Sequence, residues 1–139
     1  MFSNLFSRKP LGSNDEIDEK QAMAALMVRI AKSDDDYAIA ECERIDAILS
    51  ILYGLSPTEA SSLRSHAEAL EADAPDTVRF TRAIKDAVPY EDRFEVVRAL
   101  WQVVLADGER DHEEDALMRL LASLLGVNDR DSAIARKEA

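Results

Sequence analysis

The sequence predicts an all-α protein, a pseudo-twofold bundle of about seven helices made from two related helix-turn-helix halves. Three observations carry this expectation. Apolar residues recur at helical spacing through most of the chain, and the period-two alternation of a strand is absent. Helix start and stop signals punctuate the periodic stretches. The chain also repeats itself: with Asp34 set against Asp107, Glu41 falls on Glu114, so both halves carry an Asp-x6-Glu segment between apolar helices.

From Asp18 onward Ala22, Ala25, Leu26, Arg29 and Ile30 fall on neighbouring turns, with Met23 and Met27 widening the stripe. "KSDDDY" ends that run. A second helix is expected over Ala40 to Tyr53, with Ile45, Ile48, Leu49 and Leu52 facing inward and Gly54 as its stop. In "SPTE", Ser56 suits an N-cap, Pro57 the first helical position and Glu59 a capping box, which launches a third helix to about Ala72. "DAPDT" breaks the chain, and Thr77 to Ala87 form a fourth helix carrying Val78, Ile84 and Val88. After Pro89, the stripe Phe94, Val97, Leu100, Trp101 and Val104 marks a fifth. The sixth opens with Asp111 as cap and Glu114 three residues later, buries Leu117, Met118, Leu121, Leu124 and Leu125, and stops at Gly126. Asn128 caps a last short helix to about Arg136.

The repeat extends beyond the two acids. Met27 and Ile30 match Leu100 and Val103; Ile45, Ile48 and Leu52 match Met118, Leu121 and Leu125. Each half then supplies a Gly, an apolar residue and a capped helix start, with a one-residue adjustment before the Gly. A register shifted by one pairs Asp35 with Asp107 and Glu41 with Glu113. Each half alone would expose much apolar surface, so the two are expected to pack on one another.

Composition narrows the function classes. The 139 residues, 47% hydrophobic, are enough for one domain with its own core. Residues 17–139 are read as that domain and residues 1–16 as a frayed N-terminal tail, since Pro10, Gly12 and Asn14 break "MFSNLFSRKPLG" from the first helix. Seventeen basic against 28 acidic residues give a net charge of −11, which phosphate backbones repel, so nucleic acid is not an expected partner. The single Cys42 excludes an internal disulfide and a Cys-based zinc cage; it reads as a small filler and suits a cytoplasmic protein. No apolar run reaches the ~20 residues that span a bilayer. Phe2, Leu5 and Phe6, followed by Arg8 and Lys9, offer at most a weak peripheral membrane contact.

"LWQVVLADGERDHEEDALMRLL" resembles the signature of the TerB-like family, named for a tellurite-resistance protein: apolar helix, Ala-Asp-Gly-Glu, acidic turn, Glu, apolar helix. "RIAKSDDDYAIAECERIDAILSILYGLSPTEA" is similar to a first copy, with Asp35 where Gly is usual and Asp36 where Glu is common. The resemblance covers about residues 20 to 128. It implies an all-helical fold of two related halves, acidic residues of two turns gathered on one surface, and a link to stress and tellurite response and to metal ions. It implies no enzymatic reaction.

Carboxylates suit hard cations such as Ca²⁺ or Mg²⁺, provided several converge within ~2.0–2.6 Å of the ion. The candidate ligands are Asp34 and Glu41 in the first half and Asp107 and Glu114 in the second, with Asp35, Asp36, Glu109, Asp111 and Glu113 as helpers. An EF-hand is excluded: placing Gly108 and Glu114 at that loop's glycine and last positions puts Val103 and Leu105 where oxygen ligands belong. Helix capping is the plainer role for these acids and is compatible with weak cation binding. His66 and His112 lack zinc-ligand spacing and are read as solvated, Trp101 as core, and the basic face of "RFTRAIKDA" as solvated.

Three function classes remain. The leading one is a non-enzymatic stress-response or interaction module with an unidentified protein partner, tuned by a divalent cation at the acidic turns. The alternatives are a metal-dependent hydrolase using paired carboxylates, which lacks a legible group for proton transfer, and a peripheral membrane adaptor anchored by Phe2, Leu5 and Phe6.

Overall fold

The computed structural model describes residues 17–33, 37–105 and 112–139, without the side chains of 112–115. Every regular element among the described residues is helical: α1 (Glu19–Lys32), α2 (Ile39–Tyr53), α3 (Pro57–Asp73), α4 (Val78–Ala87), a 3-10 turn (Tyr90–Asp92), α5 (Arg93–Val104), α6 (His112–Leu124) and α7 (Asp129–Glu138). The expected helices are all present, and their bounds differ by a residue or two. The frayed tail expected at residues 1–16 lies outside the described residues.

Local chemistry sets the helix ends. Asp18 accepts a hydrogen bond from the Gln21 amide at 2.8 Å and its own amide donates to Gln21 Oε1 at 3.2 Å, closing a capping box on α1. Ser56 and Glu59 form the same reciprocal pair on α3, at 3.1 and 2.8 Å. Asn128 takes the Asp131 amide at 2.8 Å to start α7. Gly54 (φ +66°) and Gly126 (φ +81°) occupy the left-handed region after α2 and α6, where a side chain would be strained. Both stops fall where the sequence placed them.

The core is organised around α1. Seven consecutive residues, Ala22 to Val28, are fully buried. A helix wrapped on all sides is an interior helix, and α1 packs against α2, α3, α4, α5 and α6. Its alanines let neighbouring backbones approach closely, while Met23, Leu26 and Met27 each contribute roughly 1.5–3 kcal/mol by burial. Leu100, Met118, Leu121 and Leu125 complete the core from α5, α6 and the residue just beyond it.

Some positions differ from the expected phase, among them Leu124, read as buried but only half-buried. Leu52, expected to point inward, is 38% exposed because it lies in the last turn of α2, beside an open groove. Val78, in the first turn of α4, is 40% exposed, and Phe80 and Thr81 take the buried side instead. Helical period alone leaves such end positions undetermined, since the packing partner stops before the helix does.

Several helix contacts recur in the two halves. α1 packs on α3 as α5 packs on α7, α2 meets α3 as α6 meets α7, and α1 pairs with α2 as α5 pairs with α6. Across the halves α1 meets α5, and the contact of α2 with α5 is mirrored by that of α1 with α6. α4 has no counterpart in the second half.

Candidate functional site

Of the four candidate ligands, the structure describes the side chain of Glu41. It is the third residue of α2, and its Oε1 accepts a hydrogen bond from the Ala38 amide at 3.0 Å. Glu41 thus reaches back over the helix start and satisfies an amide that has no partner within the helix. Glu114 is likewise the third residue of α6, as the repeat requires. Its side chain, together with Asp34, Asp107 and the helpers Asp35, Asp36, Glu109, Asp111 and Glu113, lies outside the described residues. Among the described residues, no three His, Cys, Asp or Glu side chains converge as metal ligands.

The surroundings of the first turn are well defined, and both of its ends are fastened to α3. On the near side, Glu71 accepts from Arg29 Nε and from Lys32 Nζ, each at 2.7 Å. Arg29 also donates to the Ala74 carbonyl at 2.9 Å, satisfying an oxygen just past the end of α3. Burial alone would raise the Glu71 pKa, but the hydrogen bonds and charges of Lys32 and Arg29 outweigh it and lower the value. Ser33 closes α1 through a 2.7 Å bond from its hydroxyl to the Ile30 carbonyl.

On the far side, Tyr37 donates its hydroxyl proton to Glu68 Oε2 at 2.5 Å. Arg64 donates to the same oxygen at 2.8 Å and to Asp46 of α2 at 2.7 Å. Burial, then the Glu68 bond, then the neighbouring Cys42 push the Tyr37 pKa far up, so the phenol remains a donor. The bond to Asp46 raises the pKa of Arg64 as well, outweighing its partial burial. Glu68 and Glu71 sit three residues apart, on one face of α3. That face receives α1 through one acid and the residue after the turn through the other.

None of this network was assigned from sequence. The Arg64–Glu68 spacing is a legible i,i+4 pair, but helix packing alone joins Tyr37 and Asp46 to it, and Glu71 to Arg29 and Lys32. The residues with independent expectations behave more simply. His66 is exposed and Trp101 is buried, its indole Nε1 donating to Ser132 Oγ at 3.1 Å. The His112 side chain lies outside the described residues. Arg82 and Lys85 of the basic segment face solvent.

The arrangement can therefore hold the ends of an acidic turn at fixed positions and set the next helix start with a carboxylate. No helix among the described residues is long and apolar enough to cross a membrane. No curated protein and no solved structure matches the chain. The family model described as tellurite resistance protein TerB matches residues 20–137, spanning all seven helices nearly end to end, and the chain belongs to that family.

Proposed function

We propose that the protein is a cytoplasmic, non-enzymatic interaction module of the stress-response type, whose two acidic turns take a divalent cation weakly. The observation that carries this reading is the equivalence of the helix starts. Glu41 and Glu114 occupy the same position of α2 and α6, each after an acidic turn, in a chain that matches the TerB family over residues 20–137. The anchoring of both ends of the first turn on Glu68 and Glu71 supports it further, since a loop held at its ends loses less entropy on closing round an ion. The reading includes an approximate twofold between the halves, supported by their matched helix contacts.

Capping and cation binding make different demands. A cap needs an acceptor oxygen, which Asn and Gln retain, whereas a hard cation needs charge. Thermal melts with calcium and magnesium test this on wild type and on the double variant Asp107→Asn/Glu114→Gln. Binding raises stability by RT ln(1 + [L]/Kd), so a weak site responds at millimolar and not micromolar ion. The expected result is a small millimolar rise in melting temperature for the wild type, lost in the double variant, with nearly unchanged metal-free values. A wild type indifferent to both ions at high concentration would reduce the acids to helix punctuation.

A further inference from the structure

A groove on the side of the bundle joins the start of α1, the end of α2 and the junction between α4 and α5. Its volume is about 390 Å³, room for one or two apolar side chains. Leu52, Pro89 and Val96 supply apolar surface, with the Tyr53 ring beside them. Val96 and its neighbour Val88 are 8% exposed, so the floor runs directly into the core. Among the described residues, the charged ones lining the groove are three acids, Glu19, Asp92 and Glu95, with no basic residue beside them.

The neighbouring groove makes a useful contrast. It shares Glu19 and Ala87 with the first, and there Arg79 and Arg82 stand among Asp18, Glu19, Asp76 and Asp86, so its charges are mixed. Around the acidic groove, Lys20 packs over the Tyr53 ring at 5.8 Å and Arg98 pairs with Glu95 at 2.8 Å. Both touch lining residues without lining the groove themselves. The Arg98–Glu95 pair is exposed, and such pairs are worth ~0–1 kcal/mol, so an incoming cation can replace it at little cost. Glu19 is held toward the groove by the Tyr53 hydroxyl, which donates to it at 3.1 Å. Burial, then the Glu19 charge, pushes the Tyr53 pKa far up and keeps that donor protonated.

We propose that this groove is the docking site for a basic peptide segment of a partner protein, which inserts one bulky apolar side chain between flanking Lys or Arg residues. The inference rests on the interaction-module reading and gives its partner a chemistry. The apolar floor supplies the desolvated anchor that peptide recognition needs, and the carboxylate rim selects the charge of the flanking residues. The chain's net charge of −11 steers the same class of partner toward it.

The test pans a random dodecapeptide library displayed on phage against the full chain and, in parallel, against its Asp92→Lys/Glu95→Lys variant. Both substitutions replace exposed side chains, and thermal melts confirm that the variant folds. Wild type is expected to enrich peptides with Leu, Met or Phe between basic residues. A synthetic peptide of that sequence should shift the amide resonances of Leu52, Tyr53 and Val96, and should bind the variant about tenfold or more weakly. Enrichment of acidic or uncharged peptides, or equal binding to both proteins, would overturn the proposal. Peptides that bind at another surface would overturn the groove while leaving the interaction module standing; failure to enrich any peptide would count against both. A full-length Phe2→Ser/Leu5→Ser/Phe6→Ser variant that binds the peptide about tenfold more tightly would assign the groove to the chain's own N-terminal segment instead.

Discussion

The two halves of the molecule share several helix contacts but make them with different chemistry. In the first, α3 is fastened to its neighbours by charge: Arg29 and Lys32 of α1 grip a nearly buried Glu71, and Arg64 holds Asp46 of α2 and Glu68 together beside Tyr37. In the second, α5 is fastened to α7 by an aromatic ring. Trp101 lies buried between the two helices, bonded to Ser132 on one side and covered by the Arg136 guanidinium at 5.4 Å. A repeat in sequence thus keeps several buried positions, such as Ile45 and Ile48 against Met118 and Leu121, without preserving what joins the helices. Hydrophobic burial is non-directional and tolerates exchange of residues. Ion pairs and hydrogen bonds are directional and are settled separately in each half. The first half should accordingly feel pH and salt more than the second.

Removing the ring should have the largest effect. Trp101→Ala is expected to cost ~3–5 kcal/mol through the cavity and the orphaned Ser132 hydroxyl, with the same loss in denaturant melts at neutral and mildly acid pH. A loss below about 1 kcal/mol would show that α7 contributes little to holding α5.

Glu71→Gln should cost less, ~1.5–3 kcal/mol at neutral pH, since it removes charge-assisted bonds but Arg29 keeps the Ala74 carbonyl and Lys32 is partly solvated. The sign with pH follows from the lowered carboxyl pKa. The stability contributed by Glu71 is fully present above its ordinary value of 4.5 and disappears as pH falls through the lower folded value. The gap between wild type and Glu71→Gln should therefore narrow from about pH 5 to about pH 3. A gap that stays constant over that range would mean the ion pairs are not what Glu71 contributes.

The smallest expected effect is that of Ser132→Ala, at ~1 kcal/mol, because it leaves the packing of Trp101 in place and removes only the partner of its indole N–H. Indole fluorescence and a chemical melt together read it. A cost equal to that of Trp101→Ala would shift the weight of this contact from the ring to the hydrogen bond.

The helices, many of their ends and their repetition could be read from the residues alone, because these depend on neighbours a few residues apart. A carboxylate three residues from an amide, a glycine after the last turn and an apolar stripe at helical spacing act wherever the chain is placed. That is why Ser56, Asn128, Gly54 and Gly126 are legible, and with them the junctions from α2 to α3 and from α6 to α7. Tertiary structure alone decided that α1 is buried on every side. Its sequence shows a widened stripe, but only the placement of α2, α3, α4, α5 and α6 around it makes Ala24 and Val28 as inaccessible as Leu26. It also decided the roles of Tyr37, Glu68 and Glu71. Their partners lie 31 to 42 residues away along the chain, except for Arg64, and no local rule pairs charges across such separations. The same holds for Leu52, whose helical phase points inward but whose covering ends one turn too early, leaving it at the edge of the acidic groove.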